Sequence, residues 1–252
     1  MQAHEVILRA TDITRRWGGL VAVDRVSIEI ALGEIHAVIG TNGAGKSTLV
    51  NVLSGEVPAS EGRITLEGLD ISSWSQPRRA RHGVGRSYQR NNIFPAFSVL
   101  ENCRLAAQAK RQVPFDWLTR ATDCRSTMEL ARHCAERAGL GGQFLLGRQA
   151  GLLSHGQQRQ LEVAMCLAIE PKVLLLDEPL AGMGAEETDR MLDLLTSLKR
   201  DHAILLIEHD MDAVFKVSDR ITVMVNGVAI ASGQPDDIRS NPEVQSAYLG
   251  EH

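Results

Sequence analysis

The sequence predicts an α/β fold: a mainly parallel sheet with an N-terminal antiparallel β part and a helical insertion. Two observations lead there. The runs IHAVI (35–39), VLLL (173–176) and AILLI (203–207) are unbroken apolar stretches, the pattern of parallel strands buried on both faces. Longer stretches of helical spacing alternate with such runs, except between about Gln89 and Gly156, where strand patterns stop and helical ones continue.

Taken in order, EVILRA (5–10) and SIEI (27–30) read as strands, and the intervening RRWGGLVAVDRV carries turn glycines. IHAVIG (35–40) feeds a glycine-rich loop, after which KSTLVNVLSG has helical spacing and closes on Gly55. RITLEG (63–68) is a further strand. Segments around 98–112 and 123–138 read as helices of the insertion. Then VLLLDE (173–178), AILLIEH (203–209), ITVMV (221–225) and VAIAS (228–232) restore the alternation. Asn226-Gly227 between the last two is the two-residue signal of a tight hairpin. With no internal repeat and no Pro- or Ser-rich linker, residues 1–252 read as one domain, with a helical subdomain inserted at about 90–156.

Composition removes several functions. The 252 residues carry 27 Lys plus Arg against 31 Asp plus Glu, a net charge of −4, which disfavours a nucleic-acid partner needing a basic face. Aromatic residues at 4% are too few for a stacking platform on single strands. The cysteines at 103, 124, 134 and 166 show no CxxC pairing, so reduced thiols of a cytosolic chain are expected rather than a zinc site or disulfide framework. The apolar runs fall far short of the about 20 residues of a membrane span, and the N-terminus lacks the apolar core of a signal peptide. Any membrane role is therefore expected from the surface, through a partner.

The chemistry is concentrated in two motifs. GTNGAGKST (40–48) fits the phosphate-loop pattern of Gly, four residues, then Gly-Lys-Ser/Thr. Gly40, Gly43 and Gly45 let backbone N–H groups turn inward on phosphate oxygens, with Thr41, Asn42, Ala44 and Thr48 completing the loop. The following helix adds its positive end. Lys46 is placed to reach the β- and γ-phosphates and the Ser47 hydroxyl to ligate Mg²⁺. In VLLLDEP, Asp177 and Glu178 stand at the carboxyl end of a strand, where open α/β sheets bind ligands. Asp177 is expected to hold Mg²⁺ through the outer shell and Glu178 to accept a proton from the attacking water. Alone, such a pair only marks where a strand meets solvent; behind a phosphate loop it reads as function.

LSHGQQRQLE (153–162) makes the pattern specific. With it the chain resembles the ATP-binding cassette (ABC) ATPases, over nearly its whole length. GTNGAGKST resembles Walker A, LSHGQ the family signature and VLLLDEP Walker B. The resemblance implies a P-loop NTPase core and ATP with Mg²⁺ as cofactors. It also implies Gln89 as the Q-loop glutamine, in catalysis and at the metal, and His209 as the switch histidine. Trp17 corresponds to the aromatic that stacks on adenine; packing in the core is its alternative reading. Two subunits would pair head to tail, the Walker A of one facing Ser154, Gly156 and Gln157 of the other. Ser154 is also a plain helix cap by its own chemistry. The sequence departs from the family at His155, in place of the second glycine of the common signature, at Thr41, where proline is usual, and at Gly184, where aspartate is common. No D-loop contact is carried over.

RRWGGLVAVDRVSIEI, NNIFPAFSVLEN, LAGMGAEET, ILLIEHDMDAVF and NPEVQSAYLGEH resemble the larger ATPase subunit of branched-chain amino acid importers, a subgroup that also serves amides, urea and aromatic acids. That likeness implies a homodimer in isolation and a heterodimer with a second ATPase subunit in the transporter. It further implies two membrane permeases, an indirect periplasmic binding protein, and a peripheral place on the cytoplasmic face of the inner membrane. An exporter ATPase of the lipopolysaccharide type and a non-transport ABC ATPase are the alternatives. The arginines at 78, 79, 81, 86 and 90 are expected to form a solvated charged face, with a permease or lipid contact as the other reading.

Overall fold

A computed structural model describes residues 5–88, 92–110 and 125–249. They form two compact units: one of residues up to 86 with 172–178 and 195 onward, the other of 87–171 and 179–194.

The first unit holds two sheets. Strands β1 (Val6–Trp17) and β2 (Leu20–Ala31) pair antiparallel, and β4 (Glu61–Leu66) and β5 (Leu69–Asp70) extend them in the order β2-β1-β4-β5. Both N-terminal strands are longer than the expected 5–10 and 27–30, running to a turn at Gly18-Gly19. Bulges explain the shortfall. The register shifts between Ala10 and Ile13 and again before Arg15, where Asp12 and Arg25 hold φ of 50° and 47°. Each bulge moves the polar–apolar alternation to the other face, which breaks the period a sequence reading follows.

The larger sheet comprises β3 (Ile35–Gly40), β6 (Val84–Arg86), β7 (Val173–Asp177), β8 (Ala203–Ile207), β9 (Arg220–Val225) and β10 (Val228–Gly233), in the order β10-β9-β3-β8-β7-β6. The first five run parallel; β10 returns antiparallel through the expected Asn226-Gly227 turn, with φ of 49° and 83°. Alternate residues of β3 explain its unbroken apolar run. Val38 joins Leu8, Ile30, Leu49, Leu53 and Leu205 in one core, under helix α1 (Lys46–Ser54) and the smaller sheet. Ala37 and Ile39 point into a second core with Val214 of α8 (Met211–Val217), Ile238 of α9 (Pro235–Ser240) and Val244 of α10 (Pro242–Leu249). Helix α1 stops at Gly55, left-handed at φ 82°, as expected.

The arginine cluster is not one solvated face. In α2 (Gln76–Arg81), Arg79 is fully buried and donates to the carbonyls of Val52, Leu53, Ser72 and Trp74. Arg86 turns inward to Asn51, Ser54 and Glu56. Arg78 lies over the Trp74 ring and Arg81 is exposed, as a solvated face requires; Arg90 is outside the described residues.

Buried His36 bridges strands: one ring nitrogen meets the Glu29 carbonyl at 2.7 Å, the other the Thr222 hydroxyl at 2.8 Å. Burial, aided by Arg220, lowers its pKa from 6.5 to about 4 against the Glu29 bond. The ring is neutral in the fold, so an unfolded chain takes up the proton first. Its stabilisation is complete above about pH 6.5 and is lost as pH falls toward 4, by at most about 3 kcal/mol. Denaturant unfolding across that window should show this slope, and His36→Gln should flatten it.

The second unit is helical: α3 (Val99–Lys110), α4 (Arg125–Arg137), α5 (Gln143–Gly147), α6 (His155–Leu167) and the part of α7 (Ala185–Leu198) up to Leu194. Cys103, Cys134 and Cys166 are buried thiols, and burial raises the first two to about 12 and about 11. Among the described residues no helix is long and apolar enough to cross a membrane.

Candidate functional site

Strands β3, β8 and β7 stand side by side, and their registers align Val38 with Ile207 and Ile207 with Asp177. Their carboxyl ends therefore deliver three groups to one edge of the sheet: the loop 40–48, Glu208-His209, and Asp177-Glu178. The chain positions these residues through buried strands, which are rigid supports.

The phosphate loop is shaped by close approach. A Cβ on Gly40 would lie 2.1 Å from the Met224 carbonyl oxygen, and one on Gly45, at φ 94°, 2.3 Å from that of Ala22. Gly43 needs only its φ of 81°, since open space surrounds it. Ala44 donates to Thr41 within the loop, and its carbonyl accepts from the Gly227 N–H at 3.1 Å. Asn42 and Gly43 are exposed, while Thr41, Ser47 and Thr48 are half-buried. Gly43→Ala should cost about 1 kcal/mol of left-handed strain, and Gly45→Ala about 3 kcal/mol or more because backbone must also move. Urea unfolding of the two variants separates them.

Lys46 is buried, and its ammonium donates to the carbonyls of Gly40 at 2.6 Å and Thr41 at 3.0 Å. Burial lowers its pKa, offset by the facing carboxylates of Glu178 and Asp177. Lysine and both acids thus share one field. Asp177 is buried and Glu178 half-buried with φ 51°, its N–H donating to the Ile207 carbonyl at 2.9 Å. His209 is exposed at the end of β8. Beside it Glu208 is 1% exposed and its carboxylate accepts the His209 N–H at 3.3 Å. Sequence reading missed Glu208. The available signal was an acid directly after five apolar residues of a buried strand, the place that Asp177 takes after the apolar run 173–176. Among the described residues no three His, Cys, Asp or Glu side chains cluster as a cation cage. Ser47 and Asp177 are hard oxygen donors, and they suit a cation whose other ligands are phosphate and water, the habit of Mg²⁺.

Trp17 ends β1 and is 49% exposed, which overturns packing in the core as its role. The Arg15 guanidinium lies 3.8 Å from its ring centroid.

Ser154, Gly156 and Gln157 form a group of their own in the helical unit. Ser154 caps α6: its hydroxyl accepts the Gln157 N–H at 3.2 Å, and the Gln157 side chain accepts the Ser154 N–H at 3.1 Å, a complete capping box. The same serine hydroxyl donates to Glu187 at 2.9 Å. His155 meets the Ala181 carbonyl at 3.0 Å. Gln89 lies outside the described residues, but its flanks are held: Arg159 of α6 donates to the Tyr88 carbonyl at 2.9 Å, and Glu162 accepts the Asn92 N–H at 2.6 Å. These two side chains pair at 2.8 Å and are nearly buried.

A phosphate loop opening a helix, with lysine and paired acids at neighbouring strand ends, defines a P-loop nucleotide-binding protein. A family profile described as "ABC transporter" matches residues 23–181, and another, "Branched-chain amino acid ATP-binding cassette transporter", matches 230–252. The chain belongs to the ABC transporter family, and it is an ATPase of that family. It is 38% identical to the high-affinity branched-chain amino acid transport ATP-binding protein BraF of Pseudomonas aeruginosa, over 97% of this chain and 98% of that one. Its identity to LivG of Salmonella typhimurium, a protein of the same description, is 39% over the same shares. The crystal structure of the ADP conformation of MJ1267, an ATP-binding cassette of an ABC transporter, superposes with a TM-score of 0.87 at 32% identity, covering 98% of this chain and 99% of that one.

Proposed function

We propose that this ATPase powers an importer of branched-chain amino acids, or of related small solutes such as amides, urea or aromatic acids. The observation that supports this reading best is the end-to-end likeness to BraF and LivG, together with the C-terminal match at 230–252.

The site residues have the following parts in it. The backbone of residues 40–48 and Lys46 cradle the phosphates, Lys46 trading the Gly40 and Thr41 carbonyls for phosphate oxygens. Ser47, Asp177 and Gln89 would hold Mg²⁺, which would supply charge neutralisation at the phosphates. Glu178 takes the proton of the attacking water, and His209, exposed beside it, contacts the γ-phosphate and orients that water. Trp17, half-exposed with Arg15 over its ring, is the aromatic that stacks on adenine. Ser154, Gly156 and Gln157 present the N-terminus of α6 to the γ-phosphate of a second subunit.

The assembly proposed is an ATPase dimer, alone as a homodimer and in the transporter as a heterodimer with a second ATPase subunit. It sits peripherally on the cytoplasmic face of the inner membrane against two permeases, which receive solute from a periplasmic binding protein. Uptake of labelled leucine by the source cells tests it, comparing the native chain with Glu178→Gln. Lost uptake supports the importer. Unchanged uptake with lost ATPase activity moves the solute to the other small molecules named, or the direction to export.

A further inference from the structure

The carboxylate of Glu187 stands at two helix N-termini at once. It is in the first turn of α7, where the Gly184 N–H donates to it. It also reaches the start of α6, accepting the Ser154 hydroxyl at 2.9 Å and the Gly156 N–H. The absence of a side chain at Gly156 makes the room: a Cβ there would lie 2.6 Å from the Glu187 Cδ and 2.7 Å from Oε1. Ser154 first, then these backbone donors, hold the carboxyl below its ordinary range, so it is an anion at neutral pH. A further first-turn donor, the Gln157 N–H, is taken by Ser154 itself.

Two of the donors that a phosphate would use at this helix end, the Ser154 hydroxyl and the Gly156 N–H, are thus already bound to an anion of the same chain. We propose that Glu187 is a positioning residue that occupies the N-terminus of α6 as an internal substitute for phosphate oxygens, and must leave it before a second subunit's ATP can enter. This rests on the reading that α6 meets a γ-phosphate in trans. Two physical costs oppose entry: loss of charge-assisted hydrogen bonds to Ser154 and Gly156, and repulsion between the carboxylate and the incoming phosphate. Glu187 thereby sets how much ATP is needed to close the dimer. It also ties closure to the segment after Glu178, since the carboxylate that moves belongs to α7.

The test is ATP-dependent dimerisation, read by analytical ultracentrifugation of the full chain carrying Glu178→Gln to block turnover. Adding Glu187→Gln keeps the shape and a weaker acceptor but removes the charge. The ATP concentration for half-maximal dimer should fall about fivefold or more, because neutral hydrogen bonds hold roughly half as strongly as charged ones. Glu187→Asp, one methylene shorter and still able to cap α7, should lower it too and serves if the glutamine variant does not fold. A residue that merely stiffened α6 would move the midpoint upward when replaced. An unchanged or raised midpoint in a folded variant overturns the proposal. A Glu178→Gln parent that forms no dimer with ATP overturns the trans reading beneath it as well.

Discussion

Replacing Glu178 by glutamine should lower ATP turnover by about 10²–10⁴-fold, the usual contribution of a positioned general base, while the fold stays intact. Glutamine has the same shape and keeps the backbone N–H bond to Ile207, so what is lost is the carboxylate: its charge facing Lys46 and the oxygen proposed to accept the proton. The backbone here adds a second, independent check. Glu178 holds φ 51°, a left-handed conformation that costs a side-chain residue about 1–2 kcal/mol. Glycine pays little of that, so Glu178→Gly should be as inactive as the glutamine variant yet melt higher. Phosphate-release assays and thermal melts of both variants separate loss of the base from loss of structure. Two variants equally inactive and equally stable would sink the strain, and full turnover in either would sink the base.

Arg79→Ala should destabilise the first unit by about 3 kcal/mol or more, among the largest effects of any substitution away from the nucleotide. The guanidinium is 1% exposed and serves four carbonyls, two of them, Val52 and Leu53, in the last turn of α1. Helix ends leave carbonyls without partners, and buried ones need a donor. Alanine removes all of those donors and leaves a cavity the size of the side chain. Burial already lowers the arginine to about 10, a sign of how little water reaches it. Arg79→Lys should recover only part of the loss, since one ammonium cannot serve carbonyls spread around a planar fork. Urea midpoints of the two variants against the native chain measure this.

The arginine also shows where sequence reading reaches its limit. In QPRRARHG nothing distinguishes Arg79 from Arg78 or Arg81; two of its four acceptors, the Leu53 and Val52 carbonyls, lie 26 and 27 residues upstream. The same holds for Glu187, which reads as an ordinary first-turn acid of a helix while its serine partner is 33 residues away. Strand β6 is three residues with a central glycine, too short to show a period. By contrast β3, β7 and β8 were legible because helices or a second sheet cover both faces, and every residue then has to be apolar. The phosphate loop was legible because its chemistry needs fixed residue types at fixed spacing. Each of those positions lies within residues 40–48, so the local sequence was enough; the bulges at Asp12 and Arg25 needed the partner strand.

The contacts that shape the phosphate loop also bear on when it can exist during synthesis. The Gly40 backbone lies under the Met224 carbonyl, and the Ala44 carbonyl accepts from the Gly227 N–H, which joins residues separated by most of the chain. A ribosome that has released only the first half of the protein has made every residue of the loop and none of the turn that pins it. Closing so long a chain segment is slow, and contacts of this separation form late. A nascent chain would therefore acquire its nucleotide site as one of its last acts of folding, after β9 and the turn beyond it have cleared the exit tunnel. Until then the lysine-bearing loop is a flexible glycine-rich stretch, and ATP in the surrounding solution has nothing ordered to hold.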